Sequence, residues 1–224
     1  RPEVAASDPE NKLLSWFPRQ RLSAEAIRDQ ALFVGGLLKE RFGGPSVKPY
    51  QPEGIWDVVG LPGGDTRNYV QDKGENLYRR TLYTFWRRIV GPTSLFDNSA
   101  RQVCVIKAAR TNTPLHALVT LNDITYVEAA RALAQRVLLA AKGSENSALD
   151  QAFRLVTCRG PSAEEKGLLQ AQLLKLQGMD PAAAAKMATN SLGPAKKDAN
   201  LPEIAAWTAV ANVVMNLDEF LMRR

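Results

Sequence analysis

The chain has 224 residues, 45% of them apolar, and its 29 basic residues exceed its 23 acids to give a net charge of +6. That length supports one sizeable core, and no apolar run approaches the roughly 20 residues that would carry a helix across a bilayer. Two cysteines are too few for a disulfide framework or a thiolate zinc site, and the lack of a CxxCH motif excludes a covalently attached haem from this chain.

The first residues, RPEVAASDPENK, are polar and lack the apolar stretch of a signal peptide, so the chain reads as a mature product or an excised C-terminal piece. Asp8-Pro9 predicts a short helix whose apolar side is Leu13, Leu14 and Phe17, closed by Pro18. Ser23 predicts the N-cap of a longer helix with a stripe of Ala26, Ile27, Leu32, Val34, Leu37, Leu38 and Phe42, stopped by Gly43-Gly44. Residues 43 to 76 hold seven glycines and four prolines with Tyr50, Trp56 and Tyr69 among them, a long loop whose aromatics plug a core.

In LYRRTLYTFWRRIV (77–90), Tyr78, Leu82, Phe85, Trp86 and Ile89 share one helical face, with Arg80, Thr84, Arg87 and Arg88 on the other. Stacking on bases needs aromatics beside the charges rather than buried behind them, so nucleic-acid binding is disfavoured. Between 79 and 110 seven basic residues face one acid, Asp97, a surplus equal to that of the whole chain. Such a region attracts an acidic glycan, lipid or protein face without choosing among them. RQVCVIKAA (101–109) reads as a short strand or extended segment. Cys104 in that segment and Cys158 fit either one disulfide or, more commonly for such cysteines, two buried thiols.

Thr113-Pro114 predicts a capped helix start, and Asp123 the cap of a following helix that runs to Gly143. Further helices are expected at 146–157, at 162–177 behind the capping box begun by Ser162, after Asp180-Pro181, and at 203–224 with a stripe of Ile204, Trp207, Val210, Val214, Leu217 and Leu221. The fold class is therefore mainly α. The expected arrangement is a single helical domain over 1–224, with N-terminal helices (8–42), a loop-rich segment (43–76), basic central helices (77–142) and C-terminal helices (146–224), and little or no β-structure.

His116, the single histidine, and Asp123 are the candidate catalytic residues. Seven residues along a regular helix is about 10.5 Å, too far for a direct hydrogen bond. No HxH or HExxH spacing supports a metal, and none is assigned. Arg79, Arg80, Arg87, Arg110 and Asn112 are the candidate binding residues, the last two lying just outside the Thr113 cap.

The ordered blocks NKLLSWFPRQRLSAEAIRDQAL, GGPSVKPYQPEGIWDVV, NYVQDKGENLYRRTLYTFWRR, RTNTPLHALVTLNDITYVEAARALAQR, AFRLVTCRGPSAEE and AAWTAVANVVMNLDEFL resemble the planctomycete-type C-terminal domain of unknown function over residues 8 to 222. Residues 179–200 match least and look like an insertion. The resemblance implies a place at the end of large, exported, envelope-associated proteins, after a companion domain and often cytochrome c-like modules, in gene neighbourhoods of sulfatases and polysaccharide breakdown. It brings no established activity and no agreed catalytic residues, and many relatives carry glutamine in place of His116.

Three readings follow. The leading one is a non-catalytic interaction module that contacts a partner domain, an acidic glycan or a second copy. The second is a polysaccharide-related hydrolase that gathers His116, Asp123, Arg110 and Asn112 with Asp72 or Glu75. The third is an accessory to a c-type cytochrome, with haem only in a separate module of the parent protein.

Overall fold

The computed structural model describes residues 2–17, 19–56, 68–85, 106, 110–141, 143–180, 182 and 200–223. The chain is mainly α. Among the described residues the helices are α1 (Pro2–Ser7), α2 (Ala24–Val34), α3 (Pro114–Asn122), α4 (Ile124–Ala141), α5 (Glu145–Thr157), α6 (Ala163–Gln177), α7 (Leu201–Val214) and α8 (Asp218–Leu221), with 3-10 turns at Gly74–Tyr78 and Thr81–Tyr83. A two-residue antiparallel pair joins β1 (Gln20–Arg21) to β2 (Met222–Arg223), with Gln20 opposite Arg223 and Arg21 opposite Met222.

The core is built around α4, which packs on α7, α5 and α2, while α6 lies against α7. Ile27 and Ala31 of α2, Leu133 and Val137 of α4, Phe153 of α5, Leu173 of α6, and Trp207 and Val210 of α7 are buried in one cluster. The 3.6-residue spacing of these positions is what the sequence displays, and burial of that face holds the helices together.

Local capping chemistry fixes several helix starts as expected. Ser23 accepts from Ala26 N at 3.2 Å. Asp123 Oδ1 accepts from Thr125 N at 2.9 Å as α4 begins. Ser162 and Glu165 form the reciprocal capping box, at 3.1 Å and 2.7 Å. Arg159 closes that corner: it forks onto both oxygens of Glu165 (2.8 and 2.6 Å) and reaches Glu219 at 2.9 Å, tying the end of α5 to α6 and α8. The Arg159 hydrogen bond, with that from Ser162, holds the Glu165 carboxyl down at about 2, against an ordinary value of 4.5. A carboxyl lowered on folding stabilises fully above its unfolded value and loses that contribution as pH falls through its folded value. The melting temperature is therefore expected to drop as pH falls from about 4.5 toward about 2. Glu165→Gln should flatten that limb in a pH series of thermal melts.

Elsewhere the elements depart from expectation. The first helix precedes Asp8 rather than following it. The Asp8 carboxylate accepts from Lys12 N, Leu13 N and Ser15 Oγ at 2.9, 3.0 and 3.0 Å, and this local competition for backbone donors makes 8–16 a turn. α2 ends at Val34, not near Phe42. Gly36 takes φ +73°, and Leu37 N and Leu38 N both return to Leu32 O, closing the helix before the predicted stop. Gly35 is needed for a different reason, since a Cβ there would stand 2.8 Å from Ala129 O of α4. Gly35→Ala is expected to destabilise by about 1–3 kcal/mol, read as a lower urea midpoint at unchanged slope.

Residues 77–85 are not a helix. They fall into two 3-10 turns, tied to the 39–47 segment by bridges Lys39–Arg79 and Val47–Thr84, and the helical face is inverted in part: Leu82 is exposed and Thr84 is buried. Trp86 to Arg88, Ile89, the 101–105 and 107–109 parts of the expected extended segment, Cys104, and the expected helix after Asp180 beyond residue 182 lie outside the described residues. The expected last helix divides into α7 and α8 at Met215–Leu217. Cys158 is exposed and unbonded at the left-handed C-cap of α5 (φ 60°), a correction to its expected burial.

Candidate functional site

The described residues proposed from sequence lie on the approach to α3, on α3 and at the start of α4, and in the 74–85 segment, which packs on α2. Thr113 adopts the extended N-cap conformation and Pro114 takes the first helical position. His116, 2% exposed, turns back so that its Nδ1 accepts from Thr113 N at 3.2 Å. It thus does what Glu or Gln does at the same place in a capping box. The ring nitrogen that a general base would need is already an acceptor for the backbone, and Asp123 is engaged as the cap of α4. His116→Gln is expected to change stability by less than about 1 kcal/mol because the acceptor is kept, whereas His116→Ala should cost about 2 kcal/mol, both read by chemical denaturation.

Below the cap, the inward face of α3 is polar. The Thr120 hydroxyl meets Asn216 Oδ1, Asn216 Nδ2 donates to Asn212 O at 2.8 Å, and Asn212 Nδ2 donates to Leu121 O at 3.0 Å. These bonds stitch α3 to the C-terminal end of α7. The leucines of α3 point the other way: Leu115, Leu118 and Leu121 are exposed, as is Val213 of α7, while Val119 packs against the core.

The arginines divide. Arg79, 1% exposed, holds the loop before it: its guanidinium donates to Pro45 O, Arg41 O and Gly43 O at 2.9, 2.8 and 2.6 Å and lies 4.0 Å over the Tyr83 ring. Its donors are turned into the fold rather than toward an external anion. Arg80 is exposed, with Nε 3.3 Å from Asp29. Arg110 is exposed and donates to Arg21 O at 2.8 Å, while Arg21 Nη1 returns to Thr111 O at 3.3 Å, a reciprocal tie between β1 and the approach to α3. Asn112 is exposed beside that tie, and Arg87 lies outside the described residues. Asp72 accepts from Lys48 N at 2.7 Å and Glu75 pairs with Lys39 at 3.1 Å, so both carboxylates are engaged in the loop-rich segment rather than at His116.

Sequence reasoning passed over two other buried charges, Arg28 and Glu128. Arg28 of α2, 2% exposed, donates to Leu77 O, Arg79 O and Thr81 Oγ1 at 2.8, 3.0 and 3.1 Å. Its neighbour Asp29 accepts from Thr81 N and Thr81 Oγ1 at 2.7 and 2.6 Å. Burial pulls the Arg28 guanidinium down, opposed by Tyr126, Asp29 and Asp123 around it. Glu128 of α4, also buried, accepts from the Tyr78 hydroxyl at 2.8 Å, and burial together with that carboxylate pushes Tyr78 up to about 12. The one available signal was Arg28 next to Ile27 on the inner side of the α2 stripe.

A cavity of about 480 Å³ is lined by Phe33, Gly36, Leu38, Glu40 and Arg136, and none of the expected site residues lines it. Among the described residues no group of three or more His, Cys, Asp or Glu is placed to hold a metal ion. No helix among them is long and apolar enough to cross a membrane. Neither the curated proteins nor the solved structures give a match. A family model does match, over residues 1–173, ending within α6 and so short of α7 and α8, which the resemblance drawn above included. That model describes PSD1, a protein of unknown function (DUF1553), and the chain belongs to this family.

Proposed function

We propose that this domain is a non-catalytic helical interaction module that docks against another domain of an exported parent protein. The observation that carries the reading is the polarity of α3. His116 and Thr120 face inward in hydrogen bonds, while Leu115, Leu118 and Leu121 are exposed. A helix that turns its leucines to solvent is suited to a partner surface. The hydrolase reading is disfavoured by the same geometry, because His116 and Asp123 serve as caps at opposite ends of α3.

The experiment is to express the domain and the remainder of its parent chain as separate polypeptides and titrate one with the other. Leu115→Ser with Leu118→Ser is expected to weaken the complex by about a hundredfold, the scale set by about 3 kcal/mol of lost apolar burial. Wild-type affinity in that variant would end the proposal. Titration with a sulfated polysaccharide gives the rival result: binding abolished by Arg80→Gln and Arg110→Gln would place the partner among acidic glycans instead. If the parent carries a cytochrome c-like module, haem belongs to that module, and the isolated domain should be colourless while the module co-purifies with it.

A further inference from the structure

The turn between α1 and β1 sets apolar side chains outward on a fixed frame. Leu13, Leu14 and Phe17 are 81%, 77% and 65% exposed. The frame beneath them is the buried Asp8, whose carboxylate receives Lys12 N, Leu13 N and Ser15 Oγ, and whose carbonyl receives Trp16 Nε1 at 2.8 Å and Asn11 N at 2.9 Å. Asn11 and Leu14 both lie in the left-handed region, at φ 50° and 51°. Asparagine tolerates that conformation; leucine does not. A glycine at position 14 would make the same turn without strain. Burial does not account for the leucine either, since its side chain stands in solvent. Strain kept for the sake of an exposed apolar group marks a working surface.

Cations stand around this tip. Lys12 is within the turn, Arg19 follows it, and the Arg223 guanidinium lies 5.8 Å from the Phe17 ring. Lys12 pairs with Glu10 and Arg19 with Asp218, all with well-exposed side chains, so both pairs are weak and open to exchange.

We propose that this turn is an anchor for an anionic lipid surface. Leu13, Leu14 and Phe17 enter the boundary between headgroups and acyl chains, and Lys12, Arg19 and Arg223 exchange their carboxylate partners for lipid phosphates. A protruding apolar tip flanked by Lys12, Arg19 and Arg223 fits an anionic bilayer face once Lys12 and Arg19 leave their exposed carboxylate partners. The proposal uses a different surface from the domain contact on α3 and stands or falls separately from it.

The test is cosedimentation of the full chain with vesicles of phosphatidylcholine mixed with phosphatidylglycerol, and with vesicles of phosphatidylcholine alone. Binding is expected to the mixed vesicles, to weaken with salt, and to fall about a hundredfold when Leu13, Leu14 and Phe17 are all replaced by serine. Because these side chains are exposed, the variant should melt like the wild type. Lys12→Gln with Arg19→Gln should erase the preference for the anionic vesicles. Leu14→Gly separates a structural role from a functional one: it should raise Tm and lower vesicle binding together. The proposal is overturned if the wild type ignores both vesicle types, or if the triple variant or Leu14→Gly binds as the wild type does. It is equally overturned if the triple variant loses only a protein complex, which would assign the turn to a protein partner.

Discussion

Arg28→Met is expected to be the most damaging single substitution in the molecule, costing about 3–5 kcal/mol in chemical denaturation. The side chain fits a hydrophobic replacement in volume, so the loss is not one of packing. Leu77 O and Arg79 O would lose their donor where both residues are buried and water cannot replace it. Thr81 would lose one of its partners as well, and Asp29 the farther of its two cations, at 3.9 Å, keeping Arg80 at 3.3 Å. Arg28→Lys is not a rescue: an ammonium cannot span carbonyls reached by two separate nitrogens of a planar fork. A variant within about 1 kcal/mol of the wild type would show that the 74–85 segment is held by something other than Arg28.

Arg79→Ala is the second, and its effect should be local. The three carbonyls that Arg79 holds belong to Arg41, Gly43 and Pro45, which are themselves exposed, so water can take over once the guanidinium is gone. The expected cost is about 2–3 kcal/mol, accompanied by proteolytic nicking in 39–47 while the helices stay intact. The two arginines share an atom path, because Arg28 donates to the Arg79 carbonyl. Their double variant should therefore depart from additivity by at least about 0.5 kcal/mol. Additive losses would mean that the two loops dock independently.

These two arginines also show why part of the molecule could not be read from sequence. Helix starts at Ser23, Thr113-Pro114, Asp123 and Ser162 were legible because a cap is a bond between residues two or three apart. The stripes of α4 and α7 were legible for the same local reason. The 77–85 segment was not, because its helical periodicity is overridden by partners such as Arg28 and Asp29, about fifty residues upstream. Gly35-Gly36 escaped because the apolar pattern runs on through Leu37 and Leu38, and only the approach of Ala129 shows why a side chain is forbidden. Of the candidate site, the cap at Thr113 and the importance of the 110–123 stretch were visible. The inward turn of Thr120 was not, since its partner Asn216, like the Asn212 that donates to Leu121 O, comes from the far end of the chain.

The small ladder between β1 and β2 has a mechanical consequence. Because Gln20 lies opposite Arg223, chain entering β1 and chain leaving β2 run side by side at one corner. Tension between them passes through this clasp before it reaches α2 or the helices that follow it, and loads its bonds one after another, as in a zipper, rather than all at once. The clasp is therefore the element that yields first under a pull, releasing slack while the bundle around α4 keeps its shape.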